Sequence, residues 1–350
     1  MNAYPICLAL MAAALGAFSG AQAATPAAAP AYVLEKTIPL GAPDRWDYVV
    51  VDSSAGRVYV AHGDRVAVID PQAGSVTGEV VGMPGGAHGV AISHRTGKGY
   101  TDDGKAGQAV TFDLKTFKTG ARIPARDDAD GIAFDPTSGH IFVVNGDSAA
   151  LTVIDPKTDA VIATIATGGG MEYAVAGDNG KLYVNGADKK EIVRIDTATN
   201  RVDARWPVPG CESPHGLAID KEAHRLFPTC LNAVMNVVDT DSGKVVASLP
   251  IGQGTDGAAF DPKRKLIFSS NYDGTLSVIR EQGPDHYVAL GSIKTQISGK
   301  NMDIDPATGR LYVVAADVDP AAPVPPSKNG RMARRKLLPG TVKLLFLDPN

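Results

Sequence analysis

Seven side chains recur at a nearly constant interval and could do chemistry together: Asp47, His88, Asp130, Glu172, His215, Asp256 and Lys300. Consecutive members stand 41, 42, 42, 43, 41 and 44 residues apart. Brought to one place, they would offer oxygen and nitrogen ligands to a divalent cation, with His88, Asp130, His215 and Asp256 the candidate ligands. The same set could present a general acid and base to a small substrate. It could also grip a small ligand or a protein partner with no reaction at all. A plainer role is open as well, because Asp or His before Gly ties down incoming loops by side-chain-to-backbone hydrogen bonds. The two histidines are three repeats apart, too far to be neighbours in a ring. No His-x-x-His, Cys-x-x-Cys or Cys-x-x-Cys-His motif is present for zinc or covalent haem.

Each of these residues heads a repeat, written most cleanly at 130–165, DGIAFDPTSGHIFVVNGDSAALTVIDPKTDAVIATI. Four short β-branched runs punctuated by turn residues read as a four-stranded antiparallel meander. One such sheet cannot bury both of its faces alone, and a period of about 40–45 residues with four strands per unit indicates a propeller. In the opening strand the third and fifth positions are large, as in Ile132/Phe134 and Leu217/Ile219. The second and fourth are mostly small, as in Gly131/Ala133 and Gly216/Ala218. That alternation suits strands crowded around an axis. Residues 32–41, YVLEKTIPLG, resemble the outer strand ending LPIG at 249–252, whereas the chain stops after FLDP at 346–349, before an outer strand. The fold expected is all-β: seven blades in one domain over 32–350, the N-terminal strand completing the last blade and removing two open sheet edges.

Tyr59-Val60 before His62-Gly63-Asp64, Phe142-Val143-Val144-Asn145 and Leu182-Tyr183-Val184-Asn185 match a YVTN signature, and Val153-Ile154-Asp155-Pro156-Lys157-Thr158 its following V-I-D-x-x-T segment. On these residues the chain resembles the bacterial YVTN β-propeller repeat proteins, the YncE-like periplasmic group, over 32–350. The resemblance implies fold more than chemistry, since related propellers include cofactor-binding, amine-oxidising and metal-assisted enzymes. Departures fall at Phe227-Pro228-Thr229-Cys230 in blade 5, at Tyr100-Thr101-Asp102-Asp103 in blade 2, and in an insert at 316–340 in blade 7.

Residues 6–18, ICLALMAAALGAF, with Ala21-Gln22-Ala23 behind them, have the pattern of a secretory signal spanning 1–23. Residues 24–31 read as a flexible leader. The expected location is therefore the periplasm or the exterior, and no later apolar run is long enough to span a bilayer. Cys7 leaves with the signal, so Cys211 and Cys230 remain as a candidate disulfide at the blade 4–5 loop. With 34 basic and 38 acidic residues there is no global pull towards nucleic acid. A local one is conceivable in the insert, where Lys328, Arg331, Arg334, Arg335 and Lys336 follow a proline-rich half. No aromatic residues interleave with them, so base stacking from this loop alone is poorly supported. The insert would hang over the ring as a lid. Asp303 occupies a column otherwise small or apolar, and Lys300 is its expected partner.

Overall fold

The computed structural model describes residues 1, 30–283, 285–327 and 332–350; the signal-sequence expectation, with Cys7, lies outside them, as do Lys328 and Arg331. Seven four-stranded sheets form in chain order, each antiparallel and each running from innermost to outermost strand. The last sheet is the exception in order: Asn301–Ile304, Leu311–Ala315 and Val342–Pro349 are completed by Tyr32–Gly41. The register runs from Tyr32 opposite Pro349 to Gly41 opposite Val342, so the first folded residues finish the sheet that the last ones begin.

Why the repeats close is visible between blades. Phe142, Val144, Leu151 and Val153 of blade 3 bury themselves against Leu182, Val184, Val193 and Ile195 of blade 4, and comparable clusters fill the other seams. Each blade is thus apolar on both faces, as stacked copies require. Nearer the axis the seams narrow until only glycine fits. A Cβ on Gly216 would come within 2.9 Å of the Gly257 carbonyl carbon, and one on Gly257 within 2.9 Å of the Met302 backbone nitrogen. Below, the Asp-Pro and related turns are fastened by the aspartate itself. Asp135 accepts from the Thr137 and Ser138 amides, and Asp70, Asp239 and Asp261 repeat the pattern.

Three inner strands break the column of small second positions, with Tyr48, Tyr173 and Asn301. Tyr48 enters from blade 1 and Tyr173 from blade 4, and their rings meet edge to face with centroids 4.6 Å apart. The tyrosines occupy room left by glycines: a Cβ on Gly131 would lie 3.8 Å from the Tyr48 ring. The aromatic pair lies below the charged ring and lines the cavity beneath it. Asp303 lines that cavity too, and its expected partner is corrected here. Lys300 pairs with Asp256, whereas Asp303 accepts the Val51 amide at 2.8 Å and the Ile304 amide at 2.8 Å.

Candidate functional site

All seven spaced residues sit at the same end of their inner strands. Asp130, Glu172, His215 and Asp256 are the second residues of Ala129–Phe134, Met171–Ala176, Pro214–Asp220 and Thr255–Asp261; Asp47, His88 and Lys300 come just before theirs. They form a charged funnel, but not a uniform one. Asp47, His88 and Asp130 converge so that one ligand atom from each lies within 4.8 Å of the others. Across the mouth, His215 Nε2 stands 3.7 Å from Glu172 and Asp256 is ion-paired with Lys300. Of the four candidate ligands, then, His88 and Asp130 share a cluster and Asp47 joins them. His215 and Asp256 do not, because Lys300 already neutralises the latter.

His88 is held from behind. Its Nδ1 lies 2.7 Å from Asp102, whose two oxygens also accept the His88 and Gly89 amides at 2.9 and 2.7 Å. Asp102 is fully buried and His88 is 4 % exposed. A carboxylate behind an imidazole fixes the ring and aims the other nitrogen outward, the supporting arrangement common to metal-ligating histidines. That outward Nε2 lies 3.6 Å from Asp130 and 2.7 Å from an Arg45 guanidinium nitrogen. The arginine contact requires Nε2 to accept, hence a neutral ring with its proton on Nδ1. Burial alone would lower His88, but Asp102, Asp130 and Asp47 push it up to about 9, which favours the charged ring and sets it in competition with the Arg45 contact. Proton or guanidinium, a positive charge rests against Nε2 in either state.

The carboxylates show the same demand. Burial, reinforced by Asp47 and by Glu172, pushes Asp130 up to about 8; burial with Asp256 and Asp47 does the same to Glu172, also to about 8. Asp47 rises to about 6, since burial outweighs the attraction of Lys300. Asp256 goes the other way, its burial overcome by Lys300 and His215. Ligand atoms held tetrahedrally ~2.1 Å from an ion stand ~3.4 Å apart, so the Asp47–His88–Asp130 cluster, whose atoms lie within 4.8 Å of one another, needs to contract by up to about 1.4 Å to hold a divalent cation. Two carboxylates and one imidazole suit a cation of intermediate hardness such as Mn²⁺ or Zn²⁺.

The insert reaches this mouth. Its arms are stitched together by Asp319 and Leu338 amides donating to Lys336 and Asp317 carbonyls. The Arg335 amide donates to the Tyr272 hydroxyl at 2.7 Å. Met332 and Arg334 wall a cavity of about 230 Å³ together with His215, Asp256, Tyr272 and Lys300. Beside it, Arg45, Lys300, Arg334 and Arg335 border a smaller recess. Lys336 points elsewhere, to Asp319 at 3.0 Å. The second arm of the insert therefore borders the funnel, through Met332, Arg334 and Arg335, whereas 323–327 are exposed.

The second-strand ends His62, Asp103, Asn145, Cys230 and Asn271 are at most 1 % exposed and contribute no funnel surface. Asp103 accepts the Gly85 amide, Asn145 accepts Arg126 and donates to Ala150, and Asn271 donates to Thr275. Cys230 is joined to Cys211 in a disulfide that closes 19 residues of chain across the blade 4–5 loop. Arg45 and Asp102, which sequence reading did not select, complete the site. The only signal for Asp102 was that it stands where blade 2 departs from the YVTN signature.

A closed seven-bladed β-propeller with a charged funnel at one end of its axis is the class of protein these features define. Residues 96–210 match the family model described as a domain of unknown function, DUF5074. YncE of Salmonella typhimurium is 30% identical over 141 residues, and YncE of Salmonella typhi 33% identical over 141 residues. Each match covers 38% of this chain and 39% of the relative, so the chain spans about two-fifths of the length of the curated relatives it matches. With the YVTN-type strands and the closed ring, the chain is a seven-bladed propeller that is similar to YncE over the matched residues. Among solved structures, that titled U3-55K superimposes with a TM-score of 0.72 at 10% identity, over 92% of this chain and 99% of that one. The Kuenenia stuttgartiensis hydrazine synthase gives 0.67 at 16%, over 76% of this chain and 91% of that one. Both share the fold alone.

Proposed function

We propose that this chain is an exported, non-catalytic binding protein whose working surface is the charged funnel, and that Asp47, His88 and Asp130 hold a divalent cation there. The observation that carries the reading is the convergence of those three ligands in front of an imidazole already braced by a buried carboxylate. Export fits the apolar segment at 6–18 and the Cys211–Cys230 disulfide, since such bonds persist in oxidising compartments. Among the described residues of the funnel no nucleophile is paired with a base at hydrogen-bonding distance, which favours binding over catalysis. The test is calorimetric titration of chelator-treated protein with Mn²⁺, Zn²⁺ and Ca²⁺. One equivalent binds, with affinity reduced at least tenfold in Asp130→Asn and unchanged in His215→Ala. If none of the three ions binds, the reading fails.

A second reading rests on the basic rim of Arg45, Lys300, Arg334 and Arg335. Such a rim suits phosphate groups of a polyanion. Trp46 and Tyr272 back the rim at 7 % and 5 % exposure, too buried to offer free faces for stacking. Binding of single-stranded oligonucleotides should therefore be salt-sensitive and indifferent to sequence, and Arg334→Ala with Arg335→Ala should weaken it about equally for all sequences. Salt-independent binding, or binding unaffected by the double substitution, removes this alternative.

A further inference from the structure

Below the Tyr48–Tyr173 pair lies a second cavity, of about 470 Å³, within the size range of small-molecule sites. It reaches the turn residues Pro136 and Lys221, past the ends of their inner strands, and so opens at the face opposite the funnel. Its lining side chains are mostly apolar or aromatic, with Ile132, Phe134, Val175 and Ile219 joining the two tyrosines, although polar and apolar atoms share the wall about equally. One acidic group stands in it. Asp303 uses one hydrogen bond from a backbone amide on each oxygen, and no basic side chain lies within ion-pairing distance among the described residues. The amides orient the carboxylate without neutralising it. Both oxygens retain a free lone pair, and the charge is set among aromatic rings.

We infer that this lower cavity is a second binding site, and that it takes a small organic cation, an ammonium group on an apolar body. The charge of the ligand answers the only unpaired carboxylate in the wall. Its body covers the apolar lining, to which the rings of Tyr48 and Tyr173 contribute. The groups that bear on Asp303 are few. Asp305 is nearest in charge but is engaged by Ser53, the Ala307 amide and Thr308; Tyr173 faces it from above. Lys221 is exposed at the mouth and is the single basic lining residue. A lysine there competes weakly with the ligand and can be removed without opening the wall. Burial raises Asp303 to about 7 even against its two amide donors, so its charge is present above that pH and withdrawn below it. The site is independent of the funnel, which lies beyond the tyrosine pair.

Phenyltrimethylammonium is the probe, because its own charge does not change with pH. Titrated into the full-length chain at pH 8 it binds saturably, and at pH 6 roughly tenfold more weakly, the ionised fraction of a group titrating near 7 having fallen by about that factor. Asp303→Asn keeps an acceptor for one amide but loses the charge; it binds at least tenfold more weakly and no longer responds to pH. Lys221→Ala binds slightly more tightly than wild type. In the wild-type chain, contacts from the probe's methyl protons to Ile132, Val175 and Ile219 methyls, read by NMR, locate it even if Asp303→Asn does not fold. The inference is overturned by absence of saturable binding at pH 8. Equally, it falls if affinity is unchanged in Asp303→Asn but lost in Asp130→Asn, or if benzoate binds in place of the cation.

Discussion

Replacing Asp102 with asparagine is expected to lower divalent-cation affinity at the funnel by about 10- to 100-fold, although Asp102 touches no ligand. The carboxylate receives three donors, the His88 amide, His88 Nδ1 and the Gly89 amide, and only an acceptor on both oxygens satisfies them. Asparagine presents an NH₂ to one of them, leaving a buried donor facing a donor. The imidazole can relieve this by turning, which takes Nε2 out of line with Asp47 and Asp130. Folding stability falls too, by about 1–3 kcal/mol for the unsatisfied group. Asp103→Asn is the control for that second effect. Its neighbouring carboxylate is as buried but accepts the Gly85 amide and an Arg122 guanidinium, with no hydrogen bond to His88. Isothermal titration of both variants separates the two consequences: Asp103→Asn loses stability and keeps its cation affinity. Equal affinities in wild type and Asp102→Asn would show that His88 needs no bracing, and with that the argument for a metal-ligating geometry loses its support.

The ring itself was legible because two periodicities coincide in the sequence. Period-2 alternation within the opening strands identified which strand lies innermost, and the ~42-residue spacing of polar residues ahead of it put them at one end of the axis. Closure was legible for a similar reason, an orphaned outer strand at 32–41 and a missing one after Pro349. What could not be read was the pairing among ring members, since it depends on side chains arriving from outside the repeat. Arg45 comes from the loop before blade 1, Asp102 from a second strand, and Arg334 from the insert. Asp303 shows the limit from the other side. Lys300 is three residues away in sequence, but along an extended strand residues i and i+3 point to opposite faces. Lys300 found Asp256 in the adjacent blade instead, and Asp303 turned to the backbone of blade 1. Polar residues at the second-strand ends, such as Asn145 and Asn271, carry the same ambiguity: they serve the loops of a blade as readily as its mouth, and only burial separates the two.

With divalent cations removed by a chelator, the thermal midpoint should fall as pH rises from 6 to 9, an unusual direction for a protein rich in carboxylates. Asp130 and Glu172 titrate near 8 in the fold and Asp303 near 7, whereas ordinary carboxyls in an unfolded chain titrate near ~4. Between those values the folded chain holds protons that the unfolded chain has released. Stability therefore declines with pH through that window, and the whole cost is present above about 8. His88 acts in the same sense, its folded value of about 9 lying above the ordinary imidazole, so what it contributes below ~6.5 is lost as pH climbs through 9. Asp256 is lowered, and its contribution is lost only on acidification, outside the window. A few kcal/mol in total, or roughly 5 °C, is the expected scale. A bound divalent cation replaces those protons as the positive charge the cluster requires, so saturating Mn²⁺ or Zn²⁺ should flatten the curve and raise the midpoint most at high pH. Asp130→Asn combined with Glu172→Gln should make it shallower with no cation present, since the neutral amides have no proton to lose, leaving the part due to Asp303 and His88. Differential scanning calorimetry of the four conditions gives the answer. A midpoint that rises from pH 6 to 9, or a slope undiminished by the double substitution, would mean that the funnel carboxylates are already neutralised by Arg45, Lys300 and Arg334 and have no need of a cation.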